Sequence, residues 1–186
     1  LPVHQRVAGP VQDDEALLLY AVVRVMRIRR VLEVGGLAGY SARNFLQAMD
    51  GDDGVAMYTV DLNPVPSISP WHYTIQRDCG SLQPADVHDR PLDLIFFDAH
   101  VVEPQLQILA RLESFGLVRA NTVLALHDTD LHNKTFRQNP PVRDTDGQVG
   151  YVHQAAEREM VNRLRRQGWD ALCFHMPLDR CDDRLG

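Results

Sequence analysis

One stretch constrains this chain more than any other: a buried run that breaks on paired glycines, Arg30-Val31-Leu32-Glu33-Val34-Gly35-Gly36. Apolar and β-branched residues in succession, without the polar alternation of a one-faced sheet, predict a strand covered on both sides, as in parallel sheets. The glycines then permit a tight turn that other residues resist. A helix is expected from about Tyr40 to Met49, so the unit is strand, glycine turn, helix.

That grammar recurs along the sequence. Val55 to Val60 predicts a strand ending on Asp61, and Leu92 to Phe97 a strand ending on Asp98. Thr122 to Leu126 predicts another, followed by His127 and Asp128, with a helix from about Glu103 to Phe115 before it. Tyr73-Thr74-Ile75 carries weaker strand signal, and Pro64, Pro66 and Pro70 make the preceding segment a loop. The acids of Gln12-Asp13-Asp14-Glu15 ahead of the apolar run Ala16 to Val23 mark a helix start within an N-terminal helical segment, residues 1–29. Arg24, Arg27, Arg29 and Arg30 read as cations at that helix's C-terminal end rather than as a phosphate-binding patch. Later, Thr129 to Gln148 is a polar, lid-like loop; Tyr151 to Gln167 is a helix stopped by Gly168; Trp169 to His175 is a late strand. Alternating helices and strands predict an α/β fold with a doubly wound, mostly parallel sheet in one domain spanning 1–186.

Composition removes several function classes. Lys plus Arg number 19 against 25 Asp plus Glu, a formal charge of −6 in 186 residues, so a nucleic-acid partner is not expected. No apolar run reaches the roughly 18 residues of a membrane span, and the N-terminus lacks a signal-peptide layout, so a cytoplasmic protein is expected. Cys79, Cys173 and Cys181 are odd in number and lack CxxC spacing, which argues against a disulfide framework or a cysteine zinc site.

In an open parallel sheet the ligand crevice lies beyond the strand C-termini where strand order reverses. Glu33, Gly35, Gly36, Gly39, Asp61 and Asp98 are expected to converge there. Glycines let the backbone approach a ligand, and the following helix points its first amides at it. Leu37 stands where a dinucleotide fingerprint has its second glycine, which weakens a dinucleotide reading. A carboxylate ending the second strand suits the two hydroxyls of a ribose.

The segment Val31-Leu32-Glu33-Val34-Gly35-Gly36-Leu37-Ala38-Gly39-Tyr40-Ser41-Ala42 resembles motif I of class I S-adenosylmethionine-dependent methyltransferases, in the form used by catechol-type and related small-molecule O-methyltransferases. The resemblance continues through Tyr58-Thr59-Val60-Asp61, Asp78, Leu92 to Asp98 and Thr122 to Asp128. It implies S-adenosylmethionine as cofactor. Its methionine portion falls to Glu33, Gly35, Gly36 and Gly39, with Tyr40 and Ser41 completing the motif; Asp61 takes the ribose; Asp78 and Cys79 flank the adenine. Asp98 matches an acid that binds a divalent cation, usually magnesium, in metal-dependent members. Those members follow the fifth strand with an acidic pair, whereas this chain has His127-Asp128, and imidazole suits zinc, iron or nickel better than magnesium. Either Asp98 and Asp128 hold a metal with His127 as third ligand, or the site is metal-free and a histidine is the base.

The resemblance also implies a seven-stranded sheet closed by an antiparallel strand. Met176 to Gly186 contains Pro177 and little strand signal, so that strand is expected to be short or missing, with the open edge covered in a homodimer. The expected reaction is methyl transfer to a hydroxyl of a small molecule, with Asp98, His100 and His127 as the catalytic set and His153 as a third candidate base. An N-methyltransferase, a metal-dependent tailoring enzyme on this scaffold and a non-catalytic nucleoside-binding subunit are the alternatives. His4, His72, His88, His132 and His175 are expected to be structural or exposed, Trp71-His72 to pack half-buried, and Lys134 to be solvated.

Overall fold

A computed structural model describes residues 11, 13–50, 53–127, 129, 142–143, 149–150, 156–172 and 174. Helix α1 (Asp13–Met26) precedes strand β1 (Arg30–Val34), helix α2 (Tyr40–Met49), β2 (Ala56–Asp61) and β3 (His72–Gln76). Then follow β4 (Leu94–Phe97), α3 (Val102–Ser114), β5 (Val123–Leu126), the short β6 (Val142–Arg143) and β7 (Val149–Gly150), and α4 (Ala156–Arg166).

Five strands form one parallel sheet in the order β3-β2-β1-β4-β5. The chain starts at the centre, steps outward through β2 and β3, then returns to place β4 on the other side of β1. That reversal between β1 and β4 is the topological switch point. Val34 lies level with Val60 on one neighbour and Phe97 on the other, so the three strand ends that carry glycine or acid finish together.

Burial on both faces explains the unbroken apolar runs, and strand period sorts each run between two cores. Val31, Met57, Leu94 and Phe96 face α1 and α2, where Phe45 meets Phe96 edge-on at 5.5 Å. Leu32, Val34, Tyr58, Val60, Ile95 and Phe97 face the opposite way, with Ile108, Leu109 and Leu112 of α3 and Met160 and Leu164 of α4.

Three helices end alike. Arg27, Gly116 and Gly168 adopt left-handed φ of 55°, 70° and 96°, and the next amide donates five residues back: Ile28 to Val23, Leu117 to Leu112, Trp169 to Leu164. This six-to-one closure favours glycine, and α1 makes it with an arginine. Neighbouring arginines serve structure too. Arg24 donates to the Ala48 carbonyl and Arg30 Nε to that of Pro91, while the Arg29 and Arg30 amides share Asp93 Oδ2.

Two expectations change. Trp169–Leu172 and Phe174 are not strand, and Leu172 and Phe174 are exposed, so this apolar run lacks the two-sided cover that makes β1 a strand. Among the described residues the main sheet has five strands rather than seven, and the additional pair, β6 and β7, is antiparallel and separate. It falls at the end of the lid-like segment, most of which, with Lys134, lies outside the described residues. So do Asp128, His4, His132, His153, His175, Cys173 and Cys181.

Candidate active site

The turn after β1 is held against the protein itself. Gly35 has φ +94°, and a Cβ there would lie 2.5 Å from the Asp98 carbonyl oxygen. At Gly36 a Cβ would lie 2.2 Å from Thr59 Cγ2. These two glycines therefore let the turn pack on β4 and β2, a different use from the close approach to a ligand that the sequence suggests. Gly39, at φ +74°, begins α2 without a side-chain cap, and a Cβ there would find nothing nearer than Val65 Cγ1 at 3.9 Å. Helix α2 also has no acid in its first turn. First-turn amides lacking such partners suit an anionic group.

Asp61 joins that turn to the following loop. Its Oδ2 accepts from the amides of Gly36 at 2.8 Å and Leu37 at 3.1 Å, and its Oδ1 from Asn63 at 2.8 Å. A carboxylate offers about four acceptor positions, which leaves Oδ1 capacity for a hydroxyl donor. Asp78 caps the turn Cys79–Ser81 through the Gly80 amide at 2.7 Å. Burial pushes the Cys79 thiol up to about 12, so it stays protonated and is no nucleophile.

Glu33 points inward and is wholly buried. Ser41 Oγ donates to its Oε1, and Thr59 Oγ1 donates to its Oε2 at 2.7 Å. Desolvation nevertheless outweighs those hydrogen bonds and raises the carboxyl to about 7. Tyr40 turns to α1, where its hydroxyl donates to Asp13 at 3.0 Å.

On the β4 and β5 side the site is built from acids and imidazoles. His127 Nδ1 lies 3.0 Å from Asp98 Oδ1, and its Nε2 lies 3.1 Å from Glu15 Oε2. Carboxylates only accept, so both ring nitrogens must donate to satisfy this pair, which is the imidazolium form. His100, in left-handed backbone at φ 55°, is anchored to Glu157: its amide donates to Oε1 at 2.9 Å, and its Nδ1 lies 3.0 Å from Oε2. Its Nε2 faces Asp98 Oδ1 at 3.6 Å. Gln105 Nε2 completes Glu157 by donating to Oε1 at 3.1 Å.

Asp98, His100 and His127 thus lie together, whereas Glu15, Gln105 and Glu157 are not apparent from the sequence as site residues. Glu15 looks like an ordinary acid in a helix's first turn. The other two carry a legible signal: Glu157 shares the buried stripe of Met160 and Leu164, and Gln105 that of Ile108, Leu109 and Leu112. A polar side chain at a stripe position needs a buried partner.

The donor set decides how well two ligands fit. Both His127 nitrogens face carboxylates, and the other expected ligand after β5, Asp128, lies outside the described residues. Among the described residues no three histidine, cysteine or acidic side chains are grouped to hold a metal ion. The acceptor capacity of Asp61 and the uncapped start of α2 suit an adenosine cofactor that carries a carboxylate.

No family profile and no curated protein matches the chain by sequence. Solved structures do match in fold. An O-methyltransferase from Bacillus cereus in complex with S-adenosylhomocysteine superposes with a TM-score of 0.60 at 17% identity, over 87% of this chain and 73% of that one. The methyltransferase PaMTH1 from Podospora anserina, bound to S-adenosylhomocysteine, gives 0.61 at 15%, over 85% and 71%. TomG from Streptomyces achromogenes, an O-methyltransferase in complex with S-adenosylmethionine, gives 0.58 at 17%, over 85% and 70%. These likenesses establish the fold.

Proposed function

We propose that a chain with this O-methyltransferase fold also carries out the chemistry: it binds S-adenosylmethionine and methylates a hydroxyl of a small molecule, with His100 as the base. When bound, the cofactor supplies a sulfonium methyl group whose sulfur leaves as a neutral thioether, so the reaction needs a base and no acid. The Gly35–Gly39 turn, the first amides of α2 and Asp61 would hold it, with Asp78 and Cys79 flanking.

The pairing of His100 with buried Glu157 carries the catalytic assignment. Glu157 receives the Nδ1 proton, which puts the basic position on Nε2, beside Asp98, the logic by which a carboxylate orients a catalytic imidazole. As the acceptor oxygen bonds to the methyl carbon, its proton passes to His100 Nε2. The resulting imidazolium then lies between Glu157 and Asp98, two carboxylates that stabilise it. His127 has a different part: it ties Glu15 of α1 to Asp98 and so closes the site with the N-terminal helix. The net charge of −6 favours a small acceptor over nucleic acid.

Calorimetry with S-adenosylhomocysteine tests the cofactor, and mass-spectrometric detection of methylated phenols and sugars tests the reaction. His100→Ala is expected to lower kcat by about 10²- to 10⁴-fold while cofactor affinity changes less than about threefold. Tight NAD binding without S-adenosylhomocysteine binding would sink the assignment, and so would unchanged turnover in His100→Ala.

A further inference from the structure

Beneath the glycine turn runs a buried polar chain that the proposed chemistry does not use. His72, the first residue of the edge strand β3, is 4% exposed. Its Nδ1 accepts from the Ile68 amide at 3.3 Å, and its Nε2 lies 2.8 Å from Thr59 Oγ1, which in turn reaches Glu33. The proton order is forced. Because Nδ1 accepts, a neutral ring carries its proton on Nε2 and donates to Thr59; Thr59 has one proton, which goes to Glu33. Burial lowers the affinity of His72 for a second proton, which favours the neutral ring this order requires.

The loop between β2 and β3 grips the turn by two further contacts. Val65 is buried against it: a Cβ on Gly36 would come within 3.1 Å of Val65 Cγ2. Asp61 accepts from Gly36 and Leu37 on one oxygen and from Asn63, in the loop, on the other. The proline-rich segment that reads as a plain connection is therefore bound to the turn through Asp61, Val65 and the chain from Ile68 through His72 and Thr59 to Glu33.

We propose that Thr59 and His72 are positioning residues for cofactor binding, holding the glycine turn in its binding shape from the proline-rich loop. This rests on the assignment of the turn to S-adenosylmethionine. A buried network satisfied in one arrangement selects that arrangement, since losing a member strands the others without partners. The free protein then presents a turn that is already formed, and binding carries no cost of ordering it.

The test is calorimetry with S-adenosylhomocysteine on the full chain. Thr59→Val, which keeps shape and removes the hydroxyl, is expected to weaken binding about tenfold or more, and Thr59→Ser to restore it to within about threefold. His72→Phe should weaken it similarly, and the double variant Thr59→Val/His72→Phe little further, because both cut one chain. If the wild-type chain fails to bind S-adenosylhomocysteine, the cofactor assignment falls and this inference with it. If the wild type binds and Thr59→Val binds as well, or Thr59→Ser is no better than Thr59→Val, this inference alone falls. The wild-type ¹⁵N shifts of His72 give a readout that needs no variant to fold. An Nε2-protonated ring whose shifts move on S-adenosylhomocysteine binding supports the coupling; an Nδ1-protonated ring, or one indifferent to the ligand, overturns it.

Discussion

The two sides of the switch point solve one problem differently. Each brings a carboxylate into low-dielectric surroundings at a strand end, Glu33 on β1 and Asp98 on β4. Glu33 is satisfied by the hydroxyls of Ser41 and Thr59, and its neighbour Asp61 by backbone amides. Asp98 and Glu157 are satisfied by the imidazoles of His127 and His100. Hydroxyls and amides keep their protons across the working pH range, so the donors of the first arrangement are fixed. Imidazoles exchange theirs near neutrality, so the second can do proton chemistry. In the proposed function, cofactor holding and base catalysis divide along that line.

Backbone geometry should prove the most fragile part of the first arrangement. Gly35→Ala combines a left-handed φ with a Cβ 2.5 Å from the Asp98 carbonyl oxygen. It is expected to cost about 3–5 kcal/mol in urea unfolding. A loss under about 1 kcal/mol would mean that the turn is pliant and that the contrast with the charged side is overdrawn.

Charge should matter most on the other side. His127→Ala leaves Glu15 and Asp98 facing one another without the ring between them, at an expected cost of about 2–3 kcal/mol at neutral pH. That cost should shrink in acid, where the carboxylates protonate, and the pH dependence of urea unfolding measures it. A loss independent of pH would show that His127 acts by packing alone.

Glu33 gives the finest comparison because the hydroxyls that satisfy it carry no charge. Its folded-state value, about 7, lies above the ordinary 4.5. Stability from this group is therefore fully present below about 4.5 and is lost as pH rises through about 7. Between about pH 5.5 and about pH 8.5 the wild-type chain should lose about 2 kcal/mol from this source, and Glu33→Gln should flatten the slope. Parallel thermal melts of the two proteins decide it; equal slopes would place the titrating group elsewhere.

Much of the architecture is legible in the order of residues alone. The strands β1, β2 and β4 stand out because strands buried on both faces are apolar at most positions, and β5 stands out by its apolar run. The helix stop at Gly168 stands out because a left-handed closure favours glycine. Arg27 makes the same closure and gives no such signal: the residue after it, Ile28, is buried and donates to the Val23 carbonyl, while arginine itself has no preference for the left-handed region. Trp169–Leu172 and Phe174 mislead for the converse reason: apolar residues describe what a strand can be made of, and a strand also needs a neighbour to pair with.

By itself the sequence determined the order of elements, the parallel sheet and the residues gathered at its C-terminal rim, because hydrophobic period and glycine turns act locally along the chain. Tertiary structure alone decided what those residues do to one another. Glu15 meets His127 from 112 positions away, and Glu157 meets His100 from 57. Which acids each histidine meets depends on those distant partners, and local periodicity holds no record of them.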